Sequence, residues 1–255
     1  MTRYRILCVL LIGWVGGSSA VAQVNTERMR ALDVDGVAAE VDGDVALQSG
    51  NADVFEVGLG LRVDAQKGRD YTFLVGSVRY GEKDGDAFRN RSFAHLRYNR
   101  TLVPWLVGES FAQVEHDGFA RLRLRTLGGA GLRVRYLDTD AVKIFQGTTP
   151  MYEYESLDVD AVATHPAQTS RVRWSNYLNV HFRLTEATHL RTTIYVQPRL
   201  DAFDDVRVLN EAVLGVVITE RVSLNVRLDL RYDSRPPDDV EDLDLALRNG
   251  ITVAL

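Results

Sequence analysis

Residues 243–255 read LDLALRNGITVAL, and their alternation decides the fold. Leu243, Leu245, Leu247, Ile251, Val253 and Leu255 fall on one face. Asp244, Ala246, Arg248, Gly250, Thr252 and Ala254 fall on the other. A period of two is the signature of a β-strand, because successive side chains leave a pleated backbone on opposite sides. The segment before it repeats the pattern: Val222, Leu224, Val226, Leu228, Leu230 and Tyr232 alternate with Arg221, Ser223, Asn225, Arg227, Asp229 and Arg231. Over 171–184 an apolar set from Val172 and Trp174 to Leu184 alternates with Arg171, Arg173, Ser175, Tyr177, Asn179, His181 and Arg183.

Extended to the whole chain, the pattern predicts twelve strands: 37–48, 52–65, 70–80, 88–99, 103–115, 119–136, 141–155, 170–184, 188–200, 205–218, 221–233 and 242–255. Strands of soluble domains average roughly 5–6 residues, whereas a tilted membrane strand needs about 9–11. Most of these segments have the membrane length. An even strand number suits an up-and-down antiparallel transmembrane β-barrel with both termini in the periplasm. If the first strand runs outward, the even connections lie on the periplasmic side. They are tight, around Gln66–Arg69, Arg100–Leu102, Leu137–Asp140, Thr185–Ala187 and Thr219–Glu220. The odd connections include the two longest, 156–169 and 234–241, and Gly81–Ala87 is expected to be long as well. Short periplasmic turns with longer outer loops fit this class.

Alternation alone does not say which face is inside. A soluble barrel points its apolar face inward, and a membrane barrel inverts this because lipid wets the outside. Strand length, strand number and loop sorting together favour the inverted arrangement. The lumen would then mix Arg97, Arg123, Arg133, Arg173, Arg183, Arg191 and Arg227 with Glu40, Glu56, Glu109, Glu153, Glu155, Glu211 and Asp229. One charge cluster stands out near the outer rim. Arg121, Arg123 and Arg125 open the sixth strand, Glu153 and Glu155 close the seventh, and Arg171 and Arg173 open the eighth. Antiparallel neighbours would set the two glutamates between the arginines, with Leu122, Leu124, Tyr152, Tyr154, Val172 and Trp174 facing outward. Such a cluster would constrict the barrel mouth.

The N-terminus reads as a secretory signal over residues 1–22. Arg3 and Arg5 supply the charge, Ile6 to Val15 the apolar core, and Ala20-Val21-Ala22 the small-residue cleavage site before Gln23. The apolar run is too short to span a bilayer as a helix. Residues 23–35 form a short periplasmic lead-in, and the barrel occupies 36–255. The single cysteine, Cys8, lies in the signal, so the mature chain has neither disulfide nor thiol nucleophile. A net charge of −5 gives no ground for a nucleic-acid partner. Of 30 basic residues only Lys67, Lys83 and Lys143 are lysines. Arginine, always charged and bidentate, suits enclosed ion-pair networks.

No cofactor motif is found. Gly128, Gly129 and Gly131 interrupt a strand and open no helix, so a barrel corner is expected there and no phosphate loop. His95, His116, His165, His181 and His189 lack metal-ligand spacing. Two acidic groups, Asp201, Asp204 and Asp205, and Asp233, Asp238, Asp239, Glu241 and Asp242, are expected as solvated outer loops, although carboxylates also suit calcium or magnesium. A barrel-type hydrolase would need serine and histidine meeting near the outer rim on the lipid face. Ser92 and Ser110 come nearest, and the sequence sets no histidine beside them. Glu115, His116 and Asp117 could serve a protease but equally form an ordinary polar rim.

Four segments carry a family resemblance: FAHLRYNR (93–100), FAQVEHDGFARLRLRTLGGAGLR (111–133), MYEYE (151–155) and YDSRPP (232–237). They resemble the domain of unknown function 481 family, which includes proteins named salt-induced outer membrane protein. The resemblance covers roughly 36–255. It implies a bacterial outer-membrane barrel without assigned activity, so no catalytic residue, cofactor or metal is carried over. Barrels of this kind usually end on an aromatic residue. This chain ends on Leu255, with Gly250, Val253 and Leu255 at the spacing of an insertion signal read by the barrel-assembly machinery. The function expected is a narrow passive pore or structural envelope component in contact with outer-membrane lipid and lipopolysaccharide. The alternative is an outer-membrane lipid or peptide hydrolase.

Overall fold

The computed structural model describes residues 36–50, 53–158, 166–219, 221–236 and 240–253. The signal segment with its cleavage site, His165, Asp238, Asp239 and Leu255 lie outside them. The chain is all-β. Its twelve strands are β1 (Gly36–Gln48), β2 (Val54–Lys67), β3 (Asp70–Lys83), β4 (Asp86–Val103), β5 (Leu106–Asp117), β6 (Leu122–Asp138), β7 (Val142–Leu157), β8 (Gln168–Arg183), β9 (Thr188–Arg199), β10 (Ala202–Thr219), β11 (Val222–Asp233) and β12 (Leu243–Val253). Each pairs antiparallel with its neighbour in sequence, giving the order β1 to β12 without a crossover. Every expected strand is present.

The meander is rolled into a barrel. Tyr177 Oη of β8 donates to Glu109 of β5 at 2.7 Å, and Arg207 of β10 donates to Glu153 of β7 at 2.6 Å. Strands three places apart in a flat sheet, about 14 Å by the spacing of neighbours, could not make these bonds. β1 and β12 end the hydrogen-bonded order, and the described ladders contain no rung between them. Every residue of β1 is exposed.

The faces are inverted relative to a soluble protein. Among the described residues the buried polar and charged side chains outnumber the buried apolar ones, and large apolar side chains are exposed on strands all around the sheet. This ordering is the one the alternation predicts for a membrane barrel.

Two expectations are corrected and a third is refined. Gly81–Ala87 is not a long loop. β3 and β4 continue to a two-residue turn at Asp84-Gly85, both with positive φ, +54° and +87°. That is the two-residue geometry whose twist matches the flanking strands. The sorting of connection lengths therefore rests on the β7–β8 and β11–β12 loops. Secondly, the sixth strand does not begin at 119. Gly118–Ala120 form a single 3₁₀ turn whose N-cap, Asp117, accepts from the Phe119 and Ala120 amides. Thirdly, Gly129 and Gly131 mark close backbone approach. A Cβ on Gly131 would lie 2.1 Å from the Thr148 carbonyl oxygen. The β6–β7 ladder skips its rungs opposite Thr149 and Pro150, where proline has no N–H to give.

Candidate functional site

One end of the lumen, the one expected to be outer, where β5, β7, β9 and β11 finish and β4, β6, β8 and β10 start, holds a continuous network of ion pairs. Its centre is Arg207. It donates to Glu153 at 2.6 Å, to Glu155 at 3.2 Å and to Asp233 at 2.7 Å. Arg125 lies 2.5 Å from Glu155 and 3.9 Å from both Glu153 and Glu115. Arg173, fully buried, is 3.1 Å from Glu153 and 2.8 Å from Asp205, which is itself fully buried. Arg199 and Arg171 approach Asp205 at 3.1 and 3.6 Å. Arg91 closes the other side against Glu115 at 3.1 Å and Asp117 at 3.8 Å. Six guanidiniums thus face six carboxylates. Buried charges persist only when paired and hydrogen-bonded, and the multiple donors of arginine let one side chain serve several strands. In the β9–β10 turn, the hydrogen bond from Arg199 holds Asp201 below the ordinary carboxylate pKa.

Below this network lies an aromatic layer. His95 is buried against Phe73, Phe93 and Phe111, with ring centroids 5.7–6.3 Å apart, and its Nδ1 is 3.1 Å from Gln113 Oε1. Arg133 stacks over Phe145 at 4.2 Å, and Tyr177 packs against Tyr195. Gly147 makes room for Tyr177: a Cβ there would sit 2.0 Å from its ring. The space left between the two layers is about 40 Å³. A water site needs roughly 10–15 Å³, so a few waters fit there.

Of the expected cluster, the structure brings together Arg125, Glu153, Glu155, Arg171 and Arg173. It does not bring in Arg123. A bulge between Leu122 and Leu124 sets two residues of β6 against one of β7. The extra residue shifts the face: Leu122 turns inward, buried with Ala120 and Leu157, while Arg123 turns out to pair with Asp158. Arg121 caps the 3₁₀ turn with φ +52° and is not on the strand. Tyr152, Val172 and Trp174 face outward as expected, and Leu124 is exposed.

Sequence reasoning left out Arg207, Asp205, Glu115, Asp233, Arg91 and Arg199. Arg207 shares a face with Glu211 and could have been found by alternation. Asp205 and Asp233 were placed in acidic loops, but each is held by arginine inside the mouth. Asp204 pairs with Arg235. The aromatic layer was also unforeseen, because the inward rings of Phe73, Phe93 and Phe111 sit among residues read as apolar outer face or left unassigned. Arg97, Arg133, Glu109, Glu211 and Asp229 line the lumen as inferred, whereas Arg183 and Arg191 are exposed at its opposite end and Glu40 is exposed on β1. Gly250 and Val253 belong to β12. Ser92 does have a histidine beside it: Ser92 of β4 is the register partner of His116 of β5.

The segments that carry the family resemblance converge here. Phe93, His95 and Arg97, then Phe111, Gln113 and Glu115, then Arg125, then Met151, Glu153 and Glu155 form the lumen layers, and Asp233 completes the network from YDSRPP. Among solved structures, a NanC porin in a rhombohedral crystal form is similar at 10% identity, with a TM-score of 0.47, over 85% of this chain and 99% of that chain. No curated protein matches. The model of the family described as protein of unknown function, DUF481, matches residues 45–255, and the chain accordingly belongs to that family.

Proposed function

We propose that this chain is an outer-membrane β-barrel whose lumen rests closed, a constricted envelope component and not an open porin. The observation that carries this is the span of Arg207 from β10 across to Glu153 and Glu155 on β7, packed over the aromatic layer. A mouth crossed by paired charges in this way would admit water and exclude wider solutes.

Membrane residence is supported by the outward surface. It is apolar along the strands, with two sets of exposed aromatics. Phe119, Tyr152, Trp174 and Phe203 lie toward the outer end, and Tyr98, Trp105 and Tyr136 toward the other. Aromatic side chains collect at the two bilayer interfaces because one end of the ring is apolar and the other tolerates water. No helix of the described residues is long and apolar enough to cross a membrane, so the strands would cross.

The test is single-channel recording of refolded protein in planar bilayers. The closed reading expects insertions that leave the baseline nearly unchanged at low voltage. Steady open steps of porin type would overturn it.

A further inference from the structure

We propose that Ser92 and His116 form a serine–histidine hydrolytic site on the outward face of the barrel near its outer rim, acting on fatty-acyl esters. The inference rests on reading that face as lipid-facing. Ser92 and His116 are directly opposite each other in the β4–β5 ladder, where paired Cβ atoms stand roughly 4.5–5.5 Å apart. Their neighbours Phe93 and Glu115 are buried in the lumen, so both side chains point outward, and both are half-buried.

The imidazole is oriented. His116 Nδ1 lies 3.0 Å from the Arg123 carbonyl oxygen. A carbonyl only accepts, so Nδ1 carries a proton, and in the neutral ring Nε2 then holds the lone pair. This is the tautomer a general base for serine requires, with a main-chain oxygen as the orienting third group. The same β6 bulge that turns Arg123 outward presents this carbonyl. Ser92 Oγ and His116 share no hydrogen bond here; catalytic bonds often tighten only around substrate. Asn90, exposed on the same face two residues from Ser92 and beside Gly118, is placed to donate to an oxyanion. Exposed Val114, Phe119 and Leu124 surround the pair and suit an acyl chain.

In the step proposed, Ser92 Oγ attacks the ester carbonyl while Nε2 takes its proton. The tetrahedral intermediate breaks the bond to the alcohol oxygen, which leaves with that proton. Water, deprotonated by Nε2, then cleaves the acyl-serine. The products are a fatty acid and the de-acylated lipid, with no redox partner required.

The experiment uses the full refolded chain, its folding followed by heat-modifiable gel mobility. It is treated with a fluorophosphonate probe in detergent, and fatty-acid release is measured from phosphatidylethanolamine vesicles into which insertion has been verified. Ser92→Ala should abolish labelling and release. Ser110→Ala, on the same face opposite Tyr98, should retain both. His116→Ala should slow both by about 100-fold. Wild-type labelling no greater than that of Ser92→Ala, or full labelling of His116→Ala, overturns the site. Labelling in detergent without release from vesicles that contain inserted protein overturns the lipid ester as substrate. Failure to insert overturns instead the membrane reading on which the substrate rests.

Discussion

Arg207 illustrates how one residue can determine the state of a lumen. It is buried and meets three carboxylates from two other strands. Breaking a buried pair from one side strands the other charge and typically costs about 3–5 kcal/mol. Changing Glu153 and Glu155 together to glutamine would leave Arg125, Arg173 and Arg207 under-compensated. The double variant is expected to melt at a lower temperature than wild type and, where it inserts, to pass anions in preference to cations. Thermal unfolding and reversal-potential measurements check this. If both match wild type, each charge is hydrated on its own and the network does not close the mouth. Five of its members were legible from alternation at strand ends. Asp205 was not, because two consecutive aspartates beside a turn read as a solvated loop until the sheet curls and brings Arg173 against one of them.

At the scale of the element, the two-residue period assigns faces only as long as no residue is inserted. β11 and β12 run in unbroken register from Val222↔Val253 to Tyr232↔Leu243, and their faces hold. Leu245 is exposed outward and Leu228 half so, while Asp229 is buried inside. Arginine at Leu228 or Leu245 is expected to cost roughly 2–4 kcal/mol of barrel stability in lipid vesicles, and arginine at Asn225 or Ala246 clearly less. Equal losses in a denaturant titration would reverse the face assignment. β6 shows the opposite case. Its bulge at Leu122–Leu124 moves one leucine into the lumen and one arginine out of it, and nothing in LRLRTL marks where the extra residue falls. The position is set by the 3₁₀ turn at Gly118–Ala120 and by the need of Leu122 to pack on Ala120 and Leu157.

For the whole molecule, the N-terminal sequence predicts export. The segment ending Ala20-Val21-Ala22 predicts that the membrane-extracted protein begins at Gln23, which N-terminal sequencing decides. An intact Met1 would remove the signal and the export route with it. Strand number, antiparallel order and which residues share the polar face were determined by the sequence itself. They follow from local periodicity and chain length, which survive any detail of packing. Only the tertiary structure decided what lies across the lumen. Which charge meets which depends on curvature and register accumulated over several strands, as in the bond from β10 to β7. It also decided that aromatic rings fill the space below, and that Ser92 and His116 share a rung. The bonds 54 and 68 positions apart, from β10 to β7 and from β8 to β5, come from the curling of the sheet, and a period of two carries no record of them.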